Sequence, residues 1–147
     1  MADIVRTANA LWRGDLRGGT GSASTQSGAV RDVTITYPSR FEAAEGSNPE
    51  ELVAAAHAAC FSMSLAGRLA REGMSPEEIR TRAAVTLSKT ETGFAITRIH
   101  LETEARVPGA DAEKFRAAAE AAKDGCPISV LLRPGLQSLT LDARLVS

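Results

Sequence analysis

The stretch NPEELVAAAHAACFSMSLAGRLAREG, residues 48–73, predicts the long helix around which the fold is organised. Asn48 is a good N-cap, Pro49 suits the first helical position, and Glu51 falls at N3, where its carboxylate can complete a capping box. Gly73 offers the stop. The apolar residues in between spread around much of the helix surface, which favours a central, mostly buried helix of about 24 residues, roughly 36 Å long.

Segments on both sides of this helix carry strand and helix signals in an order that predicts an α+β fold. The signals are a two-stranded hairpin at 2–28, a short strand at 33–37, an irregular connection at 39–42, one further helical turn at 75–78, a hairpin at 83–107 with a bulge near Thr97, a helix at 111–123, a short helix at 126–132 and a last strand at 139–145. This order lacks β-α-β alternation with Gly-rich turns, so a doubly wound nucleotide-binding sheet is disfavoured.

Length and charge point to one domain without a polyanionic partner. The 147 residues include 17 Lys+Arg and 18 Asp+Glu with both signs interspersed, so neither nucleic-acid nor membrane binding is indicated. We expect a single domain over residues 1–147. Aromatics make up only 4%, and a subunit interface could enlarge so small a core. The N-terminal segment has no long apolar run, which favours a cytoplasmic protein.

Cys60 and Cys126 are the only cysteines, and their contexts differ. In a reducing cytosol they are reactive groups or buried hydrophobes rather than a permanent disulfide, and their spacing makes a structural zinc site improbable. Cys126, in DGCPIS, falls at a predicted helix N-cap, where free N–H groups stabilise a thiolate. Cys60 lies in an Ala-rich helix, where a cysteine is more often only a small buried hydrophobe. The two thiols could act together, one oxidised and the other resolving its sulfenate.

His57 lies three residues before Cys60, on nearly the same helix face. It could hydrogen-bond the sulfur or act as its base, as in a Cys-His nucleophile. A lone histidine on a buried helix is more often a hydrogen-bonded core residue, and no third orienting group is visible nearby in the sequence. A Cys-His hydrolase and a non-catalytic dimeric binding protein with buried thiols therefore remain alternatives at this point.

Four segments together resemble the OsmC branch of the OsmC/Ohr family of thiol peroxidases, over nearly the whole chain. They are RFEAAEGSNPEELVAAAHAACFSMSLA, GFAITRIHLE, AKDGCPIS and SLTLDARL. The resemblance implies an α+β fold in which antiparallel sheets wrap around long central helices in an intertwined homodimer. It also implies a peroxidase without a cofactor, which reduces organic hydroperoxides and hydrogen peroxide.

The same resemblance assigns roles to individual residues. Cys60 matches the peroxidatic cysteine and Cys126 the resolving one, so the pair would form an intramolecular disulfide that an external dithiol, of lipoyl type, reduces. Arg40 matches the arginine that holds the thiolate, and Glu50 the glutamate that orients this arginine. The Ohr branch takes its arginine from nearer the N-terminus, which leaves three rivals: Arg13, Arg17 and Arg31.

Helix geometry adds a prediction about the assembly. Glu50 and Cys60 are ten residues apart, roughly 15 Å along one straight helix, which is too far for one guanidinium to contact both. A second, antiparallel copy of the helix would supply the partner, which predicts a C2 dimer with two shared sites. Phe61 and the apolar helix surface would favour alkyl hydroperoxides.

Overall fold

The computed structural model describes residues 1–146. Its elements are β1 (Ala8–Arg13), β2 (Thr20–Thr25), β3 (Val33–Ile35), α1 (Tyr37–Phe41), α2 (Pro49–Arg71), β4 (Glu78–Thr90), β5 (Gly93–Arg106), α3 (Ala112–Gly125), α4 (Pro127–Leu132), a 3-10 turn (Arg133–Gly135) and β6 (Ser138–Leu145). The chain divides into two compact units, Met1–Leu52 and the part from Val53 onward. Each unit has its own sheet, and the predicted single domain over 1–147 stays a prediction.

The sheet of the first unit has the strand order β1-β2-β3, and both pairings are antiparallel. It confirms the predicted N-terminal hairpin and the short strand after it. The β1–β2 register runs from Ala8 opposite Thr25 to Arg13 opposite Thr20. Opposite Trp12 stands Gly21, and a Cβ built there would lie 2.5 Å from the Trp12 ring. Only glycine leaves room for the indole at this position.

The predicted irregular connection after β3 is wrong, because residues 37–41 form the short helix α1. Thr36 caps it by accepting a hydrogen bond from the Ser39 N–H at 3.1 Å, and the Ser39 hydroxyl oxygen accepts one from the Thr36 N–H at 2.8 Å. This reciprocal pair is a capping box, and Pro38 is tolerated because it lies in the first turn. Arg40 consequently lies in the last turn of α1.

Helix α2 begins where the sequence predicts, with one difference at its cap. The Asn48 side-chain oxygen accepts a hydrogen bond from the Glu51 N–H at 2.8 Å, which confirms the N-cap. The Glu51 carboxylate accepts a hydrogen bond from the Ser47 hydroxyl at 2.8 Å instead of reaching back to Asn48. The predicted capping box is therefore replaced by a side-chain contact. Gly73, at φ +75°, follows the last turn, as predicted.

The prediction that α2 is mostly buried is wrong for the single chain. A stripe at i, i+4, i+8 and i+12 is fully buried and joins the core of the second unit: His57, Phe61, Leu65 and Leu69. The other side of the helix is open, and Met63 is 76% exposed. Among the described residues α2 alone is long and apolar enough to span a membrane, a criterion that core helices of soluble proteins also meet. The rest of the single chain does not bury the apolar side of α2 that carries Met63.

The sheet of the second unit has the order β4-β5-β6. β4 and β5 form an antiparallel hairpin whose register shifts, because Thr86 pairs with Arg98 whereas Leu87 pairs with Ile96. The extra residue is Thr97, which confirms the predicted bulge. β6 runs parallel to β5, so the expectation of purely antiparallel sheets is wrong for this pair. The two helices between β5 and β6 return the chain to the same end of the sheet, as a parallel crossover requires.

The further helical turn predicted at 75–78 is also wrong. β4 begins at Glu78, and the Glu77 N–H already donates to the Arg106 carbonyl oxygen at 2.8 Å. Pairing with β5 uses the backbone groups that a helical turn would need, so the cap-like sequence is overridden by the sheet. The helix after β5 and the strand β6 confirm the predictions for those segments.

Candidate active site

Cys126 lies in the second unit where helices α3 and α4 meet. It is the C-cap of α3 and the N-cap of α4, with extended backbone angles of φ −64° and ψ 142°, and Pro127 follows in the first turn. Its sulfur accepts a hydrogen bond from the Ser129 N–H at 3.4 Å. The predicted N-cap position of this thiol is thus confirmed, and the residue is fully buried.

Cys60 lies on α2 and is partly exposed. Its sulfur accepts a hydrogen bond from the Ile128 N–H in the first turn of α4, and the Cys126 side chain is a second hydrogen-bonding neighbour. Both cysteines are free thiols. The fold therefore brings together two thiols 66 positions apart in sequence, and the start of α4 offers one backbone N–H to each sulfur.

Electrostatics within this unit disfavour the Cys60 thiolate. Burial raises the pKa of Cys60, and the adjacent Cys126 thiol raises it further, against the opposing effect of the Ile128 N–H. Desolvation penalises an anion that no nearby charge compensates. A cation beside Cys60 would oppose these effects and favour its thiolate.

The cysteine pair continues into a hydrogen-bonded network that the sequence did not predict. Cys126 Sγ donates to Ser129 Oγ at 3.1 Å, and Ser129 Oγ lies 2.8 Å from His57 Nε2. Burial lowers the pKa of His57, which favours the neutral ring. The alternative in which His57 contacts Cys60 as its base is not realised, because this ring nitrogen bonds Ser129. Ser129 is 72 residues from His57, and its only sequence signal is the third position after a Cys-Pro helix start.

Arg40 and Glu50 meet within the first unit. Arg40 Nη2 lies 2.7 Å from Glu50 Oε1, and Arg40 Nε lies 3.2 Å from each carboxylate oxygen. Glu50 belongs to the first turn of α2, where the helix dipole favours its negative charge. The side chains are 35% and 10% exposed, respectively. The predicted pair is therefore in contact, and Arg40 presents part of its guanidinium to solvent.

The structure also bears on two further expectations, the rival arginines and the role of Phe61 in substrate selection. Of the rival arginines, Arg17 lies over the Tyr37 ring at 4.7 Å from its centroid, a cation–π contact rather than a carboxylate pair. Phe61 is fully buried in the core of the second unit, so the expectation that it selects alkyl substrates is wrong. A side chain that fills a core supports the helix behind the thiol and offers no surface to a ligand.

An apolar groove of about 430 Å³ opens in the first unit beside Arg40. Its main apolar lining comes from Leu11, Trp12, Leu16 and Phe41. Leu16 is 62% exposed, so much of this surface faces outward. A concave apolar surface with one charged group at its side suits a ligand that has both a hydrocarbon part and a polar end.

Among residues 1–146, no group of three or more His, Cys, Asp or Glu side chains is arranged to hold a metal ion. Next to the two thiols, His57 Nε2 bonds the Ser129 hydroxyl. The side chains near the thiols thus form a hydrogen-bonded chain and not a set of ligands.

Comparison with known proteins identifies the family. The model of the family described as OsmC-like protein matches residues 42–138, about two thirds of the chain. The chain belongs to the OsmC-like protein family. Peroxiredoxin OsmC of Escherichia coli K12 is 45% identical over 144 residues, which cover 98% of this chain and 99% of that protein.

Members of the Ohr branch are more distant relatives of this OsmC-like chain. The organic hydroperoxide resistance protein of Xanthomonas axonopodis pv. citri is 29% identical over 84% of this chain and 88% of its own length. The crystal structure of the organic hydroperoxide resistance protein OhrB of Bacillus subtilis superposes with a TM-score of 0.66 at 28% identity, over 95% of this chain and 98% of that one. The α+β fold is therefore that of the OsmC/Ohr proteins.

Proposed function

We propose that this OsmC-like chain is a thiol-dependent peroxidase that reduces organic hydroperoxides and, as a second substrate, hydrogen peroxide. The observation that carries the proposal is the contact between two free thiols, Cys60 and Cys126, held at the start of α4. A peroxidase with two cysteines needs a sulfur that attacks and a second sulfur close enough to resolve the product. The names of the relatives, peroxiredoxin and organic hydroperoxide resistance protein, support the same chemistry.

In the proposed cycle the Cys60 thiolate attacks the terminal oxygen of the hydroperoxide. The O–O bond breaks, the alkoxide takes a proton and leaves as an alcohol, and Cys60 becomes a sulfenic acid. Cys126 then attacks the Cys60 sulfur, and water leaves as the intramolecular disulfide forms. An external dithiol of lipoyl type returns both thiols, so no cofactor is required.

Arg40 is proposed to hold the Cys60 thiolate, with Glu50 as the residue that orients it. Two nitrogens on one edge of the Arg40 guanidinium, Nε and Nη2, already bond Glu50, while about a third of the Arg40 side chain stays exposed to receive an anion. A fixed guanidinium opposes the effect of burial on the thiol and can also donate hydrogen bonds to the negative charge that develops on the peroxide oxygen. The apolar groove beside Arg40 supports an organic hydroperoxide as the preferred substrate.

The proposed working form is a cytoplasmic homodimer in which each site takes residues from two chains. Glu50 and Cys60 are both on α2, ten residues apart, which is roughly 15 Å along the helix axis. An antiparallel α2 from a second copy would bring the Arg40–Glu50 pair of one chain to Cys60 of the other. The exposed apolar side of α2, with Met63 at its centre, supports such a pairing because it would be covered by it.

Stopped-flow oxidation with cumene hydroperoxide tests the proposal. Rapid loss of both thiols in the parent protein, abolished in Cys60→Ser, is the expected result. Oxidation no faster than that of free cysteine would instead support a binding protein with filler thiols. Ester hydrolysis that disappears in His57→Ala, without any peroxide turnover, would support a hydrolase. Turnover with dihydrolipoamide and with thioredoxin, compared at equal concentration, identifies the reductant class.

A further inference from the structure

A hydrogen-bonded chain joins the buried thiol to a buried imidazole. Cys126 Sγ donates to Ser129 Oγ at 3.1 Å, and the same oxygen lies 2.8 Å from His57 Nε2. A hydroxyl that accepts from the thiol can still donate its own proton to a ring nitrogen. In this arrangement the Cys126 thiol donates to the Ser129 hydroxyl, the hydroxyl donates to His57 Nε2, and the ring proton of His57 is on Nδ1.

Because the three residues of this chain are buried, the Ser129–His57 pair is the route by which Cys126 can lose its proton. All three residues, Cys126, Ser129 and His57, have zero exposure, so the thiol has no direct path to bulk water. A neutral His57 keeps Nε2 free to accept a proton, and the lowered pKa of the buried ring is consistent with that state. Among the described residues, His57 Nδ1 has no hydrogen-bond partner. A histidine kept only for structural reasons would be expected to satisfy both nitrogens.

We infer that His57, acting through Ser129, takes up the proton of Cys126 when this thiol attacks oxidised Cys60. This assignment rests on the proposed peroxidase function and deepens it, because it adds a positioning pair to the resolving step. Ser129 contacts the reacting sulfur, whereas His57 does not and acts only through Ser129. The Cys60 thiol of α2 also faces this chain, and the Arg68 guanidinium of the same helix lies beside Gly125, the residue before Cys126.

The step balances as follows. The Cys126 S–H proton moves to Ser129 Oγ while the Ser129 proton moves to His57 Nε2. The Cys126 thiolate attacks the sulfur of the Cys60 sulfenic acid, the S–S bond forms, and the S–O bond breaks with loss of hydroxide. The Cys60 sulfur is reduced and the Cys126 sulfur is oxidised. The imidazolium returns its proton through Ser129 to the hydroxide, which leaves as water.

The test separates sulfenic acid formation from disulfide closure in single-turnover reactions with the full-length protein. Samples are mixed with one equivalent of cumene hydroperoxide, quenched with an alkylating reagent or with dimedone, and analysed by intact mass. The variants are His57→Gln and Ser129→Ala. Glutamine can still hydrogen-bond Ser129 through its amide but is far less basic than imidazole, and Ser129→Ala removes the hydroxyl that links Cys126 to His57. Ser62→Ala is the matched control. Ser62 lies on α2, as His57 does, and its hydroxyl donates to the Ala58 carbonyl oxygen and to Thr81.

We expect closure to slow by about 100-fold in both His57→Gln and Ser129→Ala, the usual contribution of a positioned base, with sulfenic acid formation changed less than about twofold. The double variant should be no slower than either single variant, since both break one relay. At high pH, where hydroxide can take the Cys126 proton in place of His57, closure in the variants should recover toward the parent rate. A change that only loosened packing would not recover in this way. Ser62→Ala should behave as the parent protein.

Closure at the parent rate in either folded variant would overturn the inference, as would slowing of sulfenic acid formation with closure unchanged. Equal slowing of both steps, without recovery at high pH, would show that the pair serves only packing. Circular dichroism and the Tm report folding, and if His57→Gln fails to fold, Ser129→Ala decides the question alone. Failure of the peroxidase proposal has a different signature, because the parent protein would then form neither sulfenic acid nor disulfide, and the relay would fall with it.

Discussion

Arg40 forms a bidentate pair with Glu50, in which Nη2 lies 2.7 Å from Oε1 and Nε lies 3.2 Å from both oxygens. The pair joins the last turn of α1 to the first turn of α2. The caps of these helices, Thr36 and Asn48, therefore help to position the guanidinium. A guanidinium fixed on two atoms loses little further freedom when it binds an anion, which is a common way of preparing an anion site.

Replacement of this arginine should weaken the Cys60 nucleophile. In Arg40→Ala we expect the Cys60 pKa to rise and the rate with cumene hydroperoxide at neutral pH to fall by about 100-fold, since one charged donor is lost from the site. The thiolate absorbance as a function of pH and stopped-flow kinetics measure the two effects. Arg80→Ala is the control, because Arg80 is exposed and pairs only at the surface with Glu78. An unchanged rate in Arg40→Ala would move the role to another arginine.

Glu50→Gln should act through Arg40. The amide keeps the shape but loses the charge, so the guanidinium is held less firmly, and we expect the peroxide rate to fall by about tenfold. In the double variant with Arg40→Ala, the glutamine should have almost no additional effect, because the group that Glu50 orients is already gone. Full additivity in this double-mutant cycle would show that Glu50 has a separate role.

Cys126→Ser should stop the reaction after the first step. One equivalent of peroxide should oxidise a single thiol, and dimedone should trap the sulfenic acid on Cys60, because the neighbouring sulfur that resolves it is missing. Intact-mass analysis and peptide mapping locate the adduct. A disulfide-free product in which Cys60 stays reduced would show that this thiol is not the one that attacks.

A charge on the exposed side of α2 should dissociate the proposed dimer. Met63 is 76% exposed in the single chain, and in an α2–α2 pairing Met63→Glu would bury an unpaired carboxylate. We expect a shift from dimer to monomer in sedimentation velocity, with loss of peroxide turnover if the site is shared between chains. Thr92→Glu, in the turn between β4 and β5, adds the same charge away from α2 and should leave the parent assembly unchanged. A dimeric Met63→Glu protein would exclude this face as the interface.

Stability should fall in mild acid because of His57. Burial lowers its folded pKa below the ordinary value of 6.5, so the unfolded chain binds a proton at a pH where the folded chain resists it. The contribution is fully present above pH 6.5 and is lost as the pH falls toward the folded pKa. Urea unfolding at constant protein concentration measures this slope, which should be smaller in His57→Gln. Equal slopes in the parent protein and His57→Gln would contradict it.

Local signals in the sequence predicted most elements of the fold, and the family resemblance supplied the candidate residues and their roles. The Asn48 cap, the bulge at Thr97 and the Cys126-Pro127 helix start depend on neighbours a few residues away, and such short-range chemistry can be predicted without the tertiary structure. The motifs around the two cysteines also carried the family resemblance.

Tertiary structure decided what depends on distant partners. β6 is parallel to β5, and residues 75–78 extend the hairpin instead of turning, because sheet pairing outweighs local preference. Phe61 belongs to the core because the α2 surface is divided between a buried stripe and an open side, which helical periodicity alone could not assign. Ser129 connects Cys126 to His57 across 72 residues, and no pattern in the chain encodes a hydrogen bond at that separation. Sequence thus determined which chemical groups are available, and the packing of α2 against the start of α4 decided which of them meet.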